Sequence, residues 1–373
     1  MKILILSTKY TGMGHDSIAR ALTYEFEKHG TTVKTVEIFD HVWNYVKENA
    51  RNYTNIVNKN PHKWKFLYDF ADTHVNIQAW CFSWGLEKNF YRIIKEFDPD
   101  IVISVHPLYV INILNLRKKY AFRFKFVVVI ADLISIVNTW IDTRSDLVII
   151  PTVDGAELSG KRNKKMNYLN YVVNMLPIRP QFLSYSKKIT LEEIEKPIPL
   201  NKELNILLMS GGNGTMESFA VLEDLLNIDK ININVVCGKN EEIRQGLLKK
   251  YSRDKKKVHL FGFIEDFAPF LAEQDIVIIR ASPNAILEAL NLCKPIILSS
   301  VIYGQELGNI DFVVNNKIGF YCPSKEEIIT TVKKLMADDF ESFKQIRKNQ
   351  YNFRKPDAHV SLAENIMKIP VDK

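Results

Sequence analysis

His15 closes a turn, Ser7-Thr8-Lys9-Tyr10-Thr11-Gly12-Met13-Gly14-His15, that joins an apolar run to the amphipathic segment DSIARALTYEFEKHG. A glycine-bearing turn between strand and helix brings backbone N–H groups and a positive helix end toward a ligand, which suits an anion. A histidine at that helix start can act as a general base, because its ordinary pKa of about 6.5 lies near working pH. Its alternative role is to hydrogen-bond the loop. The turn is not a full dinucleotide fingerprint, since Ser17 stands where G-x-G-x-x-G needs its last glycine. A second glycine turn, Ser210-Gly211-Gly212-Asn213-Gly214, and the turn Cys237-Gly238-Lys239-Asn240 each follow a strand pattern and can approach a phosphate. Gly262 and Phe263 can meet a nucleobase. Ser282-Pro283-Asn284 forms a turn before a helical pattern that contains Glu288, a carboxylate able to accept from ribose hydroxyls or simply to face water. Gln305 and Glu306, in the loop Tyr303-Gly304-Gln305-Glu306-Leu307-Gly308-Asn309, can hydrogen-bond the hydroxyls of a hexose.

These turns need strands to carry them, and the sequence supplies two series. Apolar or β-rich runs stand at 2–6, 32–38, 100–105, 124–130 and 146–150, and again at 204–210, 231–237, 258–263, 275–280 and 295–300. Continuous runs of this length, separated by helical patterns, fit parallel sheets covered on both faces. The expectation is an α/β chain of two Rossmann-like, doubly wound domains at 1–183 and 203–373, facing a central cleft. Leu183 to Lys202, with Pro197 and Pro199, reads as the linker. Ligands of such sheets bind beyond the carboxyl ends of the strands, where all of these turns lie.

With 373 residues, 46% of them hydrophobic and 25% charged, the chain can bury a large core. No apolar stretch approaches the roughly 18 residues of a membrane span, and no signal-peptide cleavage pattern follows the first strand, so a cytoplasmic protein is expected. Cys81, Cys237, Cys293 and Cys322 are too few and too scattered for a disulfide framework or a zinc site, and read as buried small hydrophobes. The net charge of +7 is one-sided: residues 1–185 hold 24 Lys and Arg against 17 Asp and Glu, and residues 186–373 hold 26 of each. The first half is therefore expected to meet something anionic.

Taken together, these residues resemble the processive diacylglycerol glucosyltransferases and monogalactosyldiacylglycerol synthases, inverting glycosyltransferases of the two-domain GT-B type, related to glycosyltransferase family 28. The likeness runs through Gly14-His15 with Ala19, Ser104-Val105-His106-Pro107-Leu108, Ala131-Asp132-Leu133 and Pro177-Ile178-Arg179-Pro180-Gln181-Phe182. It continues through the glycine turn at 210–214, Cys237-Gly238-Lys239-Asn240, Gly262-Phe263, Glu288-Ala289 and Gly304 to Asn309. The resemblance implies transfer of glucose or galactose from a UDP-sugar to the 3-hydroxyl of diacylglycerol. His15 would be the general base, and Asp132 would orient His15 or the acceptor. The donor would be held by Gly14, Gly211, Gly212, Asn213, Gly262, Phe263, Ser282, Asn284, Glu288, Gln305 and Glu306. It also implies a last helix, from Pro356 onward, that packs back on the first domain. Two positions depart from the family: Ser282-Pro283-Asn284 replaces a glycine-rich turn, and Ile136-Val137-Asn138-Thr139-Trp140 lacks a histidine before the tryptophan. Helix dipoles and backbone N–H groups are expected to meet the diphosphate, so neither a catalytic metal nor a cofactor is expected beyond the donor itself.

Trp43, Trp64, Trp80 and Trp84 fall between residues 41 and 94 with many Phe, Tyr, Lys and Arg, a composition suited to the boundary between lipid tails and headgroups. This region, with His106 and Pro107, is read as the acceptor and membrane side, docked on an anionic inner membrane face. Arg117-Lys118-Lys119 with Arg123 and Lys125, placed in a loop, would add to the basic surface. Nucleic acid is not expected, because no nucleic-acid motif accompanies these residues. The alternatives are a different lipid acceptor, such as a peptidoglycan precursor, or a catalytically weak membrane-binding homologue.

Overall fold

The computed structural model describes residues 1–52, 56–57, 60–83, 85–199, 201–209, 219–251 and 257–371. By packing, the chain divides into two units: Met1–Pro180 with Tyr303–Gln305 and Asp357–Lys373, and Gln181–Ile302 with Glu306–Pro356.

The first unit runs β1 (Lys2–Ser7), α1 (Gly14–Lys28), β2 (Thr32–Glu37), α2 (Asn44–Arg51), α3 (Pro61–Thr73), α4 (Val75–Ser83), α5 (Leu86–Phe97), β3 (Ile101–Ser104), α6 (Val110–Lys119), β4 (Lys125–Val129), β5 (Leu147–Ile150), α7 (Val153–Arg162) and β6 (Tyr171–Val173). Its six strands pair in the order β2-β1-β3-β4-β5-β6, all parallel. The apolar runs behave as a doubly covered sheet requires: Ile3, Leu4, Ile5 and Leu6 of β1 and Val127, Val128 and Val129 of β4 are wholly buried.

The second unit runs α8 (Leu183–Lys188), α9 (Leu191–Glu195), β7 (Leu204–Met209), α10 (Leu222–Leu225), β8 (Ile231–Val236), α11 (Glu241–Lys250), β9 (Val258–Phe261), α12 (Phe267–Ala272), β10 (Ile276–Arg280), α13 (Pro283–Asn291), β11 (Ile296–Ser300), α14 (Leu307–Asn315), β12 (Gly319–Tyr321), α15 (Lys325–Met336) and α16 (Glu341–Phe353). Its strand order is β12-β11-β10-β7-β8-β9, again all parallel. The last helix, α17 (Ala358–Met367), packs within the first unit on α1, where His359 Nε2 lies 3.5 Å from the buried Glu25 carboxylate.

Three sequence expectations change. The stretch read as a linker carries two short helices of the second unit; Thr190 and Glu193 form a reciprocal capping box at the start of α9, and Ile194 is wholly buried. Arg117, Lys118 and Lys119 stand in the last turn of α6, not in a loop, because Val110, Ile113, Leu114 and Leu116 give that segment a buried helical face and cations suit a helix C-terminus. Arg117 is bonded to Asp146, and Lys119 to Glu87 at 2.5 Å, so neither is a free basic group. The edge strands β6 and β12, three residues each, are too short to announce themselves. Cys237, Cys293 and Cys322 are free and buried; the Cys81 side chain lies outside the described residues.

Gly319 shows how tightly the second sheet is built. A Cβ there would meet the Ile296 carbonyl oxygen of β11 at 2.5 Å and Val313 Cγ1 at 2.8 Å. Neither backbone nor packed branch can retreat easily. Gly319→Ala should therefore lower stability by about 1–3 kcal/mol, read as a shift in the urea midpoint with an unchanged slope.

Candidate functional site

In a doubly wound sheet the crevice opens where successive strands step to opposite sides. In the first unit that point lies between β1, whose next strand β2 is on one side, and β3 on the other. The turn after β1 and the residues after β3 therefore meet. Val105 extends the ladder past β3 by donating its N–H to the Leu6 carbonyl at 3.1 Å. Its own carbonyl oxygen lies 2.5 Å from His15 Nδ1. Only an N–H can satisfy a carbonyl, so Nδ1 carries the proton and Nε2 of the neutral ring is left with its lone pair.

Two rings crowd this imidazole. His106, 3% exposed, stands edge to face with it at 4.7 Å between centroids, and the wholly buried Trp140 lies 6.4 Å away. Burial pushes the His15 pKa down to about 4, opposed by the bond to Val105. Burial, then the neighbouring His15, also holds His106 well below the usual histidine value. Both rings are neutral at working pH.

Asp132 follows β4 and accepts from Trp140 Nε1 at 2.7 Å. The group that orients His15 is thus the Val105 carbonyl, while Asp132 positions the tryptophan beside it. His106 and Pro107, expected on the acceptor side, start a short 3-10 turn, Pro107–Tyr109, with His106 Nδ1 accepting from the Leu108 N–H at 3.4 Å. Gly14 is the first residue of α1, and Met13 before it provides no side-chain cap.

The tryptophans separate. Trp43 and Trp80 are 54% and 61% exposed. Trp64 is half-buried and spends its indole N–H on the Tyr303 carbonyl at 3.0 Å, so its expected lipid-facing role is corrected to an internal one. Trp84 lies outside the described residues. Phe66, Leu67 and Phe70 on α3 and Ile77 on α4 join the exposed apolar group, with Phe66 and Phe70 stacked at 6.2 Å.

In the second unit the strand order reverses between β7 and β10. Gly211, Gly212 and Asn213, which follow β7, lie outside the described residues. Phe263, just past β9, is 55% exposed beside Gly262, with Lys239 Nζ 5.2 Å from the centre of its ring. An exposed aromatic at the carboxyl edge of a sheet can stack a planar base. Ser282 is the N-cap of α13 but makes no side-chain cap, and Pro283 holds the first position without an N–H. Asn284 is half-buried in that first turn, and Glu288, inside the helix, is 5% exposed, which removes the solvated reading.

Glu306 differs most from expectation. Its carboxylate accepts from Arg280 Nε at 3.1 Å and from the Ile302 N–H at 2.8 Å, and the residue is 1% exposed. Burial raises its pKa against the pull of Arg280. Both oxygens are committed to the turn, so Glu306 is corrected from a sugar contact to a residue that shapes the loop; Gln305 beside it is half-buried. Asn309, named with this loop but given no role by sequence, is wholly buried; its amide donates to the Ala281 carbonyl at 2.8 Å and ties α14 to the loop after β10. Arg280 had a readable signal, a charge ending an apolar strand; Val105 had none. Among the described residues no group of His, Cys, Asp and Glu is arranged to hold a metal.

Comparison with known proteins bears on this geometry. The family model for monogalactosyldiacylglycerol (MGDG) synthase matches residues 15–166, and the glycosyltransferase family 28 C-terminal domain matches 213–365. A probable chloroplastic monogalactosyldiacylglycerol synthase of Glycine max is 28% identical over 98% of this chain and 71% of its own length. The monogalactosyldiacylglycerol synthase of Spinacia oleracea is 27% identical over 98% and 72%. Among solved structures, MurG of Acinetobacter baumannii superposes with a TM-score of 0.63 at 14% identity, covering 98% of this chain and 99% of that one. The UDP-GlcNAc 2-epimerase of Neisseria meningitidis, solved with UDP-GlcNAc, gives 0.62 at 15%, covering 99% and 100%. At that identity the last two likenesses concern the GT-B fold.

The His15 environment makes a direct prediction. A free histidine gains its proton near pH 6.5, whereas His15 should remain the neutral Nδ1–H tautomer as pH falls and protonate only near pH 4. Imidazole nitrogen chemical shifts followed by NMR between pH 8 and 4 check it; a titration centred near 6.5 would contradict the crowded, carbonyl-bonded ring.

Proposed function

The chain is a glycosyltransferase of the monogalactosyldiacylglycerol synthase and family 28 group, and from that premise we propose that it transfers a hexose from UDP-glucose or UDP-galactose to diacylglycerol, with inversion, at an anionic membrane surface. The observation that carries this reading is the His15 tautomer: a neutral imidazole with Nδ1–H fixed on Val105 and Nε2 open as a proton acceptor.

The acceptor is a neutral alcohol, and a neutral alcohol attacks an anomeric carbon efficiently only as its proton leaves. His15 Nε2 takes that proton, the oxygen bonds to the anomeric carbon from the face opposite the nucleotide, and the bond from that carbon to the UDP oxygen breaks with its electron pair on UDP. The growing charge is met by the first-turn donors of α13 and by the glycine turn at 211–214, and the uracil stacks at Phe263. Glu288 serves the ribose and Gln305 the hexose. No metal or cofactor is part of the proposal.

The membrane half rests on Trp43, Phe66, Phe70, Ile77 and Trp80, which expose apolar surface on one stretch of the first unit. No helix among the described residues is long and apolar enough to cross a membrane. Surface docking on the inner, cytoplasmic face is the arrangement proposed.

Purified protein incubated with anionic vesicles containing diacylglycerol and either UDP-glucose or UDP-galactose should yield a hexosyl lipid by mass analysis, and the productive donor names the sugar. Intact protein that binds vesicles yet forms no product with either donor overturns the proposal. His15→Ala should lower kcat by about 100-fold or more while UDP-sugar affinity persists. Phe66→Ser combined with Trp80→Ser should weaken vesicle binding by about tenfold or more, since two exposed aromatic side chains lose their place in the interface.

A further inference from the structure

One hydroxyl at the first unit's crevice has no role in the scheme above. Thr11 sits in the β1–α1 turn, and its Oγ1 lies 3.4 Å from His106 Nε2. The tautomer of His106 decides which atom donates. Its Nδ1 accepts the Leu108 N–H at 3.4 Å and so carries no proton, and the ring's hydrogen must be on Nε2. Thr11 Oγ1 is therefore the acceptor of that contact, and its own hydrogen points away from His106.

The opposite side of the picture is His15, packed on the same His106 ring at 4.7 Å between centroids. A proton acceptor, His15 Nε2, and a proton donor, the Thr11 hydroxyl, thus border one buried ring. The neighbouring Gly12 has φ of +107°, and a Cβ added there would meet nothing within 4 Å, so the space beside the turn is open.

Diacylglycerol presents the complementary pair. Its free hydroxyl gives up a proton, and the adjacent carbon bears an ester whose carbonyl can only accept. We propose that Thr11, held by His106, is the acceptor-specificity residue: its hydroxyl donates to the ester carbonyl next to the reacting alcohol. This rests on the diacylglycerol reading above. A plain alcohol or a 1,2-dialkylglycerol offers His15 the same hydroxyl but leaves Thr11 without its carbonyl.

The test pairs one change in the enzyme with one in the substrate. Thr11→Val keeps the shape and removes the hydroxyl; 1,2-dialkylglycerol keeps the reacting hydroxyl and removes both carbonyls. Wild-type enzyme should use the diester better than the diether by about fivefold or more in kcat/KM, the size of one neutral hydrogen bond. Thr11→Val should lose that preference by falling on the diester while keeping wild-type activity on the diether, which also reports that the variant is folded. Thr11→Ser, which retains the hydroxyl, should restore the preference. Equal losses on both lipids, no loss on either, or a wild type indifferent to the carbonyls would overturn the assignment of Thr11. A wild type that glycosylates neither lipid would overturn the diacylglycerol reading itself, and this inference with it.

Discussion

The hydrogen bond from His15 Nδ1 to the Val105 carbonyl is the constraint on which the first unit's crevice is built. A histidine free to rotate would share its proton between two nitrogens and present Nε2 as an acceptor only part of the time. Here the partner is main chain, and that main chain is held by the sheet, since Val105 N–H continues the β1–β3 ladder onto Leu6. The orientation of the imidazole is thereby inherited from a strand pairing. It also explains why β3 must lie beside β1: the crossover through residues 38–97 brings the ends of both strands to one crevice.

The second unit solves a related problem with side chains. Burying Glu306 costs solvation, and Arg280 together with the Ile302 N–H compensates it by satisfying both oxygens. The result closes the turn after β11 on itself. Asn309 then joins that turn's helix to the loop after β10 through Ala281. Two strand-end loops are fixed relative to each other by buried polar contacts, which is what a nucleotide needs from a site built of loops.

How much of this could be read from the sequence follows from what kind of atom does each job. The central strands were legible because a doubly covered parallel strand must be apolar throughout, the edge strand β2, TVKTVE, by its β-branched residues, and the position of His15 by the glycine turn between strand and helix. Val105 was not, since a backbone carbonyl has no residue type. Glu306 was visible as a carboxylate in a polar loop, but sequence does not tell which way a carboxylate points; the arginine that claims it is 26 residues away. The helices α8 and α9 were hidden by the prolines that follow them, although the Thr190-x-x-Glu193 spacing was there to be read.

The aromatic stretch separates composition from geometry most clearly. Trp64, Tyr68 and Asp72 recur every four residues on α3, and so do Phe66 and Phe70, but the two rows are offset by two residues, or about 200° around a helix. One row is half-buried and bonded inward, with Trp64 on Tyr303 and Asp72 on Asn138; the other is exposed. Composition counted all of them alike. The basic residues also sort, because Lys47, Lys65, Arg117, Lys119 and Arg162 are each paired with a carboxylate of the same unit. Such pairs look neutral beyond a Debye length of about 10 Å. Each pair uses one carboxylate for one cation, so the excess of 24 over 17 in the first half is untouched and resides in its other Lys and Arg, while the row that α3 turns outward is a separate, apolar feature.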